Sequence, residues 1–503
     1  MAGSEPNEYA SLDEFLQANG AKRKIKRVLI ANNGNAAIKF AMSVRQWCLE
    51  TFNNAHEIEL VGLVTPEDEN SNAEYISYCD FIERVPGGSN NYNYASIDVI
   101  VECANQFHCD AVWPGWGHAS ENEELPRMLS AESNAIWIGP TSETMVAVGC
   151  KIASTIVAQS LDIPVVPWSG SAVKVSCAED KLAQVTAEHI RRACIRDVEH
   201  LYQLIDEDVV TFPFMLKAAA GGGGKGIRIV EDREKAANCY HMVSGEVQGS
   251  LIFAMNCVTN CRHLEVQILG DEYGLVVPCG ARDCTIQRRH QKIIEEGPPV
   301  CADSELIEQL MESAAKLCRA VNYYSAGTVE FLFDIEKHEY YFLEVNARLQ
   351  VEHVVTELMM DANLPVAQLQ IAMGLPLHKI EGVKQYMERR SAKVAAEKHV
   401  IASRIVAENS ENNFQPTTGA IQELNFGGSS HVWGYFSVTQ GGKVHQYCDS
   451  QIGHIFAVGK TRTEARKHLL NSLRTLIIRG EIWAGPRQTD RALHVRPRVS
   501  GEN

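Results

Sequence analysis

Residues 344–352 read E-V-N-A-R-L-Q-V-E, a run in which polar and apolar side chains alternate. Successive side chains of an extended strand point to opposite faces, so the run predicts a strand with one polar and one apolar face. The polar face would comprise Glu344, Asn346, Arg348, Gln350 and Glu352. Two carboxylates, two amides and a guanidinium on one face indicate a place where a cation and a small anion are held side by side. The alternative interpretation is a solvated strand face.

A second acidic strand precedes this run and favours the binding site over the solvated face. Residues 327–333 read G-T-V-E-F-L-F, and a polar turn, D-I-E-K-H-E, leads from them into Y-Y-F-L-E-V-N. The pattern predicts a β-hairpin that brings Glu330 and Glu344 onto neighbouring strands, with Asn346 beside them. Such a pair suits Mg²⁺ or Mn²⁺, because Mg²⁺ binds one or two carboxylates and leaves its other positions to phosphate oxygens and water. The hairpin therefore suggests a metal shared with a nucleotide.

A glycine-rich segment upstream offers a partner for the phosphates of that nucleotide. Residues 212–220, F-P-F-M-L-K-A-A-A, have the composition of a strand, and G-G-G-G-K-G-I-R follows at 221–228. Four consecutive glycines cannot pack a core, but their N–H groups can surround an anion. The pattern is not a Walker loop, because Gly226 follows Lys225 where Ser or Thr is required. The two lysines, Lys217 before the loop and Lys225 inside it, favour phosphate binding over a flexible linker.

Five motifs, in order along the chain, resemble those of the biotin carboxylases, a branch of the ATP-grasp enzymes. They are K-A-x-x-G-G-G-G-K-G-I-R, R-H-L-E-V-Q, R-D-C-T-I-Q-R-R-H-Q-K, G-T-V-E-F and E-V-N-A-R-L-Q-V-E-H. The similarity extends from Ile25 to Glu481. Further segments, among them G-W-G-H-A-S-E-N-E-E-L-P and V-P-G-G-S-N-N-Y-N-Y-A, resemble the biotin carboxylase domain of eukaryotic multidomain acetyl-CoA carboxylases in particular.

The resemblance implies a fold with α/β and α+β parts. Its N-terminal part would be an open α/β domain, followed by a mobile ATP-grasp lid and a larger C-terminal domain with an antiparallel sheet. Strand and helix patterns that alternate from K-R-V-L-I-A-N-N-G onward independently predict the open α/β sheet. The expected division is a leader at 1–24, the α/β domain at 25–165, the lid at 166–257, the C-terminal domain at 258–482 and a tail at 483–503.

On the nucleotide side, the resemblance implies a role for each residue that matches a family motif. Lys151 and Lys217 match lysines that contact the ATP phosphates. The flap that closes over those phosphates comprises Gly221, Gly222, Gly223, Gly224 and Lys225. His263 and Gln287 match polar residues near the ribose and adenine. Met255 stands on the adenine side, where backbone groups would hold most of the base.

The resemblance also implies which residues hold the metal and the reacting anions. Glu330, Glu344 and Asn346 take the metal-binding roles. His290 and Lys292 lie in the basic run Q-R-R-H-Q-K. A basic run is usually a solvated face, but between strand-like segments and beside a carboxylate-rich site it is suited to holding an anion.

The remaining residues implied by the resemblance carry the reaction. Arg348, Gln350 and the backbone N–H of Val351 match a bicarbonate pocket, where a planar guanidinium pairs with a planar oxyanion through two hydrogen bonds. Glu352 matches the general base, which must be charged when it works. Arg404 matches the arginine that stabilises the enolate of biotin.

Together these roles imply ATP- and bicarbonate-dependent carboxylation of biotin, the first half-reaction of acetyl-CoA carboxylase in fatty acid biosynthesis. The expected cofactors are ATP and Mg²⁺ or Mn²⁺, and bicarbonate is the second substrate. Biotin would arrive on a carrier, and a carboxyltransferase would take the carboxyl group, because neither function is encoded here. A homodimer is a further hypothesis. Two alternatives stay open: another ATP-grasp ligase of the carbamoyl-phosphate type, and a catalytically silent copy used for assembly or regulation.

Composition limits the classes to which the chain can belong. A net charge of −16 over 503 residues argues against a broad nucleic-acid surface. Fifteen cysteines without framework spacing indicate a reducing compartment, and we expect the cytoplasm. The polar, acidic N-terminus is neither a signal peptide nor a transit peptide, and no apolar run has membrane-spanning length.

The last segment, residues 483–503, departs from the family pattern. It contains two prolines, two glycines and four arginines with little apolar periodicity, so it is expected not to order itself. In the resembled family this region helps to wall the adenine end of the pocket. We therefore expect weak ATP binding and reduced activity from the chain as it stands.

Overall fold

The computed structural model describes residues 9–176, 185–219, 226–289, 291–392 and 397–482. Three main sheets organise these residues: a parallel sheet of five strands, an antiparallel sheet of three and an antiparallel sheet of eight. The parallel sheet is of the α/β type and the two antiparallel sheets are of the α+β type. The fold class predicted from the sequence is therefore confirmed.

The N-terminal part is a parallel sheet covered by helices, as the alternating pattern predicts. Its elements are α1 (Leu12–Asn19), β1 (Arg27–Ile30), α2 (Gly34–Phe52), β2 (Glu59–Val64), α3 (Pro66–Asn70), β3 (Phe81–Arg84), α4 (Ile97–Gln106), β4 (Ala111–Trp113), α5 (Glu124–Glu132), β5 (Ile136–Trp137), α6 (Ser142–Gly149) and α7 (Lys151–Ser160). The strand order is β3-β2-β1-β4-β5. The loop that follows β4 carries Glu121, which reaches the candidate site described below.

The middle part contains the three-stranded antiparallel sheet. Its elements are α8 (Ala187–Ala193), α9 (Val198–Asp206), β6 (Phe214–Ala218), β7 (Ile227–Val230), α10 (Arg233–Glu246) and β8 (Ile252–Asn256). The strand order is β7-β6-β8. The segment before it is packed against β8: Trp168 is fully buried and forms a β-bridge with Met255. The predicted glycine flap lies between β6 and β7, outside the described residues.

The C-terminal part is built on the eight-stranded sheet. Its elements are β9 (Cys261–Gly270), β10 (Val276–Arg288), β11 (Gln291–Gly297), α11 (Ser304–Ala320), β12 (Ser325–Asp334), β13 (Glu339–Asn346), α12 (His353–Met360), α13 (Leu364–Ala372), α14 (Glu381–Ser391), β14 (His399–Val406), β15 (Glu408–Asn409), β16 (Gln415–Pro416), β17 (Gly419–Asn425), β18 (Val432–Phe436), β19 (Lys443–Val444), β20 (Gln451–Gly459), α15 (Arg462–Thr475) and β21 (Ile477–Gly480). The order of the large sheet is β13-β12-β9-β10-β11-β14-β20-β18. Polar side chains from non-consecutive strands therefore meet on one face.

The hairpin of β12 and β13 forms as the sequence predicts, with Glu330 paired to Glu344. The register slips by one residue directly after this pair, a β-bulge of the kind that re-aims side chains near functional sites. The opposite face of β12 packs a core, because Val329, Phe331 and Phe333 are fully buried. Alternation along β12 thus places the carboxylate on the site and the aromatic rings in the interior.

The prediction of one continuous strand over residues 344–352 is wrong in part. The strand ends at Asn346, an irregular segment follows, and α12 begins at His353 with Glu352 as its N-terminal cap residue. Ala347 and Leu349 are buried as predicted, but Gln350 and Glu352 are buried as well. The side chains predicted to share a face still converge, because the chain turns around the site instead of passing straight along it.

Within the described residues, no helix combines the length and the apolar character needed to cross a bilayer. The fourteen cysteines in this part of the chain are free thiols, many of them buried. Cys257 and Cys261 belong to neither group of residues that could surround a metal ion among the described side chains.

Gly327 tests how tightly β12 is held beside the site. A Cβ atom at this position would lie 1.9 Å from the hydroxyl oxygen and 2.3 Å from Cζ of Tyr323, a fully buried ring. We expect Gly327→Ala to lower the free energy of unfolding by about 1–3 kcal/mol, the usual cost of overpacking. Gly245→Ala is the matched control, because that helical position is exposed and has no neighbour within 4 Å. Gly245→Ala should raise the free energy of unfolding by about 0.5–1 kcal/mol. Urea unfolding measures both, and equal effects would contradict the packing argument.

Candidate active site

Glu330 is the hydrogen-bonding centre of the candidate site. Its Oε1 atom accepts from Nδ2 of Asn346 at 3.0 Å, from Nε2 of Gln350 at 2.8 Å and from Nζ of Lys292 at 2.9 Å. Its register partner, Glu344, lies on the neighbouring strand. The structure therefore brings the three predicted metal-binding residues together with two residues predicted to hold an anion.

The two hairpin carboxylates differ in their electrostatic surroundings. Burial tends to raise the pKa of Glu330, but Lys292 and His263 outweigh burial and hold that pKa below its usual range. Burial and the charge of Glu330 raise the pKa of Glu344. Among the described residues, none donates a hydrogen bond to Glu344 or pairs with it. A cation bound between these two carboxylates would supply the missing positive charge.

Lys292 lies on β11 and contacts three buried carboxylates. Its Nζ atom donates to Oε2 of Glu265 at 2.5 Å, to Oε1 of Glu330 at 2.9 Å and to Oε1 of Glu352 at 2.7 Å. Burial lowers the pKa of Lys292, but the three carboxylates outweigh it and raise that pKa well above its usual value. The ammonium group therefore stays charged and joins the metal side of the site to Glu352.

Glu352, the predicted general base, is 2% exposed and has both carboxylate oxygens occupied. Its Oε1 accepts from Lys292, and its Oε2 accepts from Nη2 of Arg404 at 2.9 Å. Burial tends to raise its pKa, but Lys292, Arg404 and Arg282 hold the pKa of Glu352 well below the usual carboxylate range. The group is therefore an ionised acceptor, as the sequence analysis requires of a base.

The residues predicted to bind bicarbonate lie just beyond the end of β13. Nε of Arg348 donates to Glu121 at 2.9 Å, and its Nη2 donates to Oδ1 of Asn346 at 3.2 Å. The amide of Gln350 is fixed at both ends, because its Oε1 accepts from Arg282 at 3.1 Å while its Nε2 donates to Glu330. Val351 lies in the turn that leads into α12.

Sequence reasoning missed the fully buried pair of Arg282 and Glu265 beneath these residues. Nε of Arg282 donates to Glu265 at 2.7 Å, and its Nη1 donates to Gln267 and Thr356 at 2.9 and 2.8 Å. Both members of the pair are 0% exposed. A signal was available: each is a charged residue in a strand with several apolar residues, where a buried charge is costly unless it is paired.

The lysines predicted to contact nucleotide phosphates lie at the start of α7 and on β6. Lys217 is partly buried, with Nζ 3.9 Å from Sδ of Met255. Burial and the nearby charge of Lys151 lower the pKa of Lys217. Neither lysine pairs with a carboxylate anywhere in the described part of the chain. The charge of Glu344 acts on both ammonium groups without forming an ion pair with either. Two lysines without an ion-pair partner suit a polyanion.

The two polar residues predicted to lie near the ribose and adenine are in contact with each other. Nδ1 of His263 lies 3.3 Å from Nε2 of Gln287. The other ring nitrogen, Nε2, lies 2.7 Å from Oε2 of Glu330, so this histidine also borders the metal carboxylates. Burial lowers the pKa of His263, but Glu330 outweighs burial and raises it.

Six of the predicted site residues lie outside the described residues, and their roles stay predictions. They are Gly221, Gly222, Gly223, Gly224, Lys225 and His290. The tail at 483–503 lies outside as well. The proposed leader, lid and C-terminal boundaries likewise stay predictions.

Charge balance tests whether the described side chains suit a divalent cation. Five buried or partly buried glutamates meet here, at positions 265, 295, 330, 344 and 352. The permanent cations that pair with them are Lys292, Arg282 and Arg404. Negative charge exceeds positive charge by two, apart from any charge on His263. The donor set of carboxylate oxygens beside unpaired lysines therefore fits Mg²⁺ or Mn²⁺ bound together with phosphate.

Three family models match consecutive parts of the chain. "Biotin carboxylase, N-terminal domain" matches residues 24–145, "Carbamoyl-phosphate synthase L chain, ATP binding domain" matches 175–380, and "Biotin carboxylase C-terminal domain" matches 402–484. Together they cover most of the chain and agree with the span over which motifs were recognised in the sequence.

Curated relatives and solved structures agree with these models. Acetyl-CoA carboxylases of Dictyostelium discoideum and Saccharomyces cerevisiae are 47% and 44% identical, each over 94% of this chain. The chain spans about a fifth of their length, 21% and 22% respectively. A biotin carboxylase structure from Campylobacter jejuni has a TM-score of 0.80 at 29% identity and covers 93% of this chain and 95% of its own. The biotin carboxylase domain of a Hydrogenobacter thermophilus 2-oxoglutarate carboxylase has a TM-score of 0.78 at 27% identity, covering 94% of both chains.

The large antiparallel sheet with its paired carboxylates, together with a smaller antiparallel sheet that carries Lys217, is typical of an ATP-grasp protein. Parallel sheet, middle part and C-terminal part follow one another in the order of the matching models. The chain belongs to the biotin carboxylase family, and the two curated relatives named above are acetyl-CoA carboxylases.

Replacement of Lys292 tests the charge network. Lys292→Met leaves three carboxylates without their shared cation, so we expect a loss of about 3–5 kcal/mol in unfolding free energy at neutral pH. In the wild type the depressed pKa values of Glu330 and Glu352 contribute stability that is present above the usual carboxylate pKa and lost as the pH falls through the folded values. The deficit of the variant should therefore hold from neutral pH down to about 4.5 and shrink as the pH falls further.

The matched control for this measurement is Lys39→Met. The Lys39 side chain is 6% exposed, against 14% for Lys292, and it pairs with a single carboxylate, Glu357, at 2.9 Å. Urea unfolding at neutral and acidic pH should show a smaller loss and a weaker pH dependence for Lys39→Met. A pH-independent deficit for Lys292→Met would show that packing, and not charge, is the contribution of this lysine.

Proposed function

We propose that this chain carboxylates biotin at the expense of ATP and bicarbonate, the first half-reaction of an acetyl-CoA carboxylase. The observation that carries the proposal is the placement of Glu352. This ionised, buried acceptor lies between Lys292 and Arg404, next to Arg348 and Gln350 of the expected anion pocket and to the carboxylates of the expected metal site.

The first stage activates bicarbonate. Arg348 offers a planar guanidinium and Gln350 an N–H donor, so together they can orient a planar oxyanion. Glu352 accepts the bicarbonate proton, and the resulting oxyanion attacks the γ-phosphorus of ATP to give carboxyphosphate and ADP. Once Glu352 has taken up the proton, it no longer balances the positive charge of Lys292. The charge of Lys292 then becomes available to the anion.

Phosphoryl transfer depends mainly on positioning and on stabilisation of the transferring charge. Glu330, Glu344 and Asn346 would hold the divalent cation, which supplies charge neutralisation at the β- and γ-phosphate oxygens when it is bound. Lys151 and Lys217 lie where they can pair with phosphate oxygens, since neither pairs with a carboxylate among the described residues.

The second stage transfers the carboxyl group to biotin. Carboxyphosphate breaks down to CO₂ and phosphate, and the phosphate can accept the proton from N1 of the ureido ring. Removal of that proton places negative charge on the ureido oxygen. Arg404 lies beside Glu352 and carries the guanidinium that would stabilise this charge.

The rest of the proposed biology concerns partners. Acetyl-CoA as final acceptor, a biotin carrier and a carboxyltransferase belong to the proposal, since the chain spans only 21% of the Dictyostelium relative. The free cysteines support a reducing compartment such as the cytoplasm. Homodimerisation stays a hypothesis.

The direct test is phosphate release from Mg-ATP in the presence of bicarbonate, with and without free biotin. A biotin carboxylase releases phosphate in a bicarbonate-dependent reaction that biotin stimulates. A ligase of the carbamoyl-phosphate type would cleave ATP without stimulation by biotin. A silent copy would bind nucleotide and release no phosphate under either condition.

The general base is tested by Glu352→Gln, which keeps the shape and removes the proton acceptor. We expect bicarbonate-dependent ATP cleavage to fall by about 10²–10⁴, the usual contribution of a general base. The dissociation constant of Mg-ADP should stay within a few-fold of the wild-type value, because this residue faces the anion and not the nucleotide. Glu357→Gln is the matched control, since it neutralises another buried glutamate on the same helix. Wild-type turnover in Glu352→Gln would remove this residue from the mechanism.

Arg404→Ala separates the two stages. Because Arg404 acts after carboxyphosphate has formed, we expect carboxybiotin formation to fall more than ATP cleavage does. Both rates can be followed in one reaction, as ¹⁴C-carboxybiotin and as phosphate. Arg462→Ala, which removes a guanidinium from the next buried glutamate of β11, is the matched control and should keep the wild-type ratio. Equal losses of both products in Arg404→Ala would place this arginine in the phosphate site instead.

A further inference from the structure

Two residues that no step of the proposed reaction uses, Glu295 and His454, lie next to Arg404. Its Nε atom donates to Oε1 of Glu295 at 2.5 Å, while its Nη2 donates to Glu352. The second oxygen of Glu295, Oε2, lies 3.2 Å from Nε2 of His454. The three residues come from the adjacent strands β11, β14 and β20, with Arg404 and His454 directly paired. A series of contacts therefore connects Glu352 to Arg404, Arg404 to Glu295, and Glu295 to His454.

Burial of Glu295 and His454 carries a cost in folding free energy. The side chains of Glu295 and His454 are both 0% exposed, and Arg404 is 14% exposed. A buried carboxylate costs several kcal/mol unless it is paired and hydrogen-bonded, and apolar residues of similar volume often stabilise as well or better. Stability alone is thus a weak reason for placing these two groups in the middle of a sheet.

The geometry of His454 indicates that it acts as a hydrogen-bond donor to Glu295. Its Nδ1 atom is buried and has no hydrogen-bond partner among the described residues. The centroid of its ring lies 4.2 Å from the ring centroid of Phe456. The other ring nitrogen, Nε2, faces the carboxylate, and because a carboxylate oxygen can only accept, Nε2 is the donor of this contact. The carboxylate is then fixed in rotation, with one oxygen for His454 and the other for Arg404.

The consequence for Arg404 is that two of its three nitrogens are already held. An arginine side chain has about 2 kcal/mol of rotamer entropy, so a guanidinium with one contact would sample many positions. Contacts at Nε and Nη2 fix the plane of the group. Within the described residues, Nη1 makes no hydrogen bond, which leaves it available to an oxygen of a substrate.

We propose that Glu295 and His454 are positioning residues for Arg404, and that through it they serve the biotin-dependent stage of the reaction. They touch no substrate themselves. The inference rests on the function proposed above, and it assigns to this pair a role in the second stage and none in nucleotide binding.

A double-mutant cycle tests Glu295. We expect Glu295→Gln to lower kcat/KM for biotin by up to about 100-fold, the cost of a catalytic group misplaced by about 1 Å. The Kd of Mg-ADP should be unchanged. In the Arg404→Ala background the same substitution should cost nothing further, since residues that act through one another are not additive. Additive losses would overturn the proposal.

The matched control is Glu296→Gln, one residue along β11. Glu296 is also buried and also pairs with an arginine, Arg462, at 2.5 and 3.0 Å, but it has no contact with Arg404. It should keep the wild-type kcat/KM for biotin. An equal loss in both variants would show that any missing carboxylate on this strand disturbs the enzyme, and would overturn a specific role for Glu295.

Two substitutions test His454, and they also serve if Glu295→Gln fails to fold. His454→Gln can keep an N–H donor near the position of Nε2, whereas His454→Leu keeps volume and removes the donor. We expect the Gln variant to retain most of the wild-type kcat/KM for biotin and the Leu variant to lose it. Equal activity in the two variants would leave His454 with a packing role only.

A crystal structure separates failure of this inference from failure of the proposed function. If the wild-type chain releases no phosphate in response to biotin, the proposed function fails, but the position of Arg404 can still be compared between variants. We expect the contact between Arg404 and Glu352 to be lost in Glu295→Gln and in His454→Leu, and kept in Glu296→Gln. An unmoved guanidinium in both of the first two variants would overturn the positioning role whatever the activity.

Discussion

The contact of Lys292 with three carboxylates is the interaction on which the rest of the site depends. Glu265, Glu330 and Glu352 come from two strands and the start of a helix, and each is at most 4% exposed. Without a shared cation their mutual repulsion and their loss of hydration would each favour an open or protonated site. A single ammonium group therefore allows a metal-side carboxylate and a proton acceptor to stand next to each other in the same interior.

The parts of the site that follow from local sequence could be predicted. The hairpin carrying Glu330 and Glu344 is a contiguous pattern of alternating residues joined by a polar turn, and its register follows from that pattern. The end of β13 at Asn346 could not be predicted, because alternation of side chains does not report whether the backbone stays extended. The same convergence of Arg348 and Gln350 arises from a turn instead of a strand.

The groups that sequence reasoning missed are those whose partners lie far along the chain. Arg282 meets Gln350, and Glu295 meets Arg404, only because strands distant in sequence are neighbours in the large sheet. A charged residue within a predicted strand indicates that a partner exists but does not identify that partner. The tertiary arrangement supplies the partner, so supporting residues such as His454 become visible only in three dimensions.

The distribution of lysine and arginine follows from the shapes of the two groups. Arg282 and Arg404 each occupy positions where several acceptors lie around a plane, which suits the rigid fork of a guanidinium. Lys292 stands where three carboxylate oxygens surround one point, which suits a compact group with three rotatable donors. An ammonium can also exchange one acceptor for another by rotation about its stem. The fixed arginines thus define the walls of the site, while Lys292 at its centre is a cation able to turn toward a substrate anion.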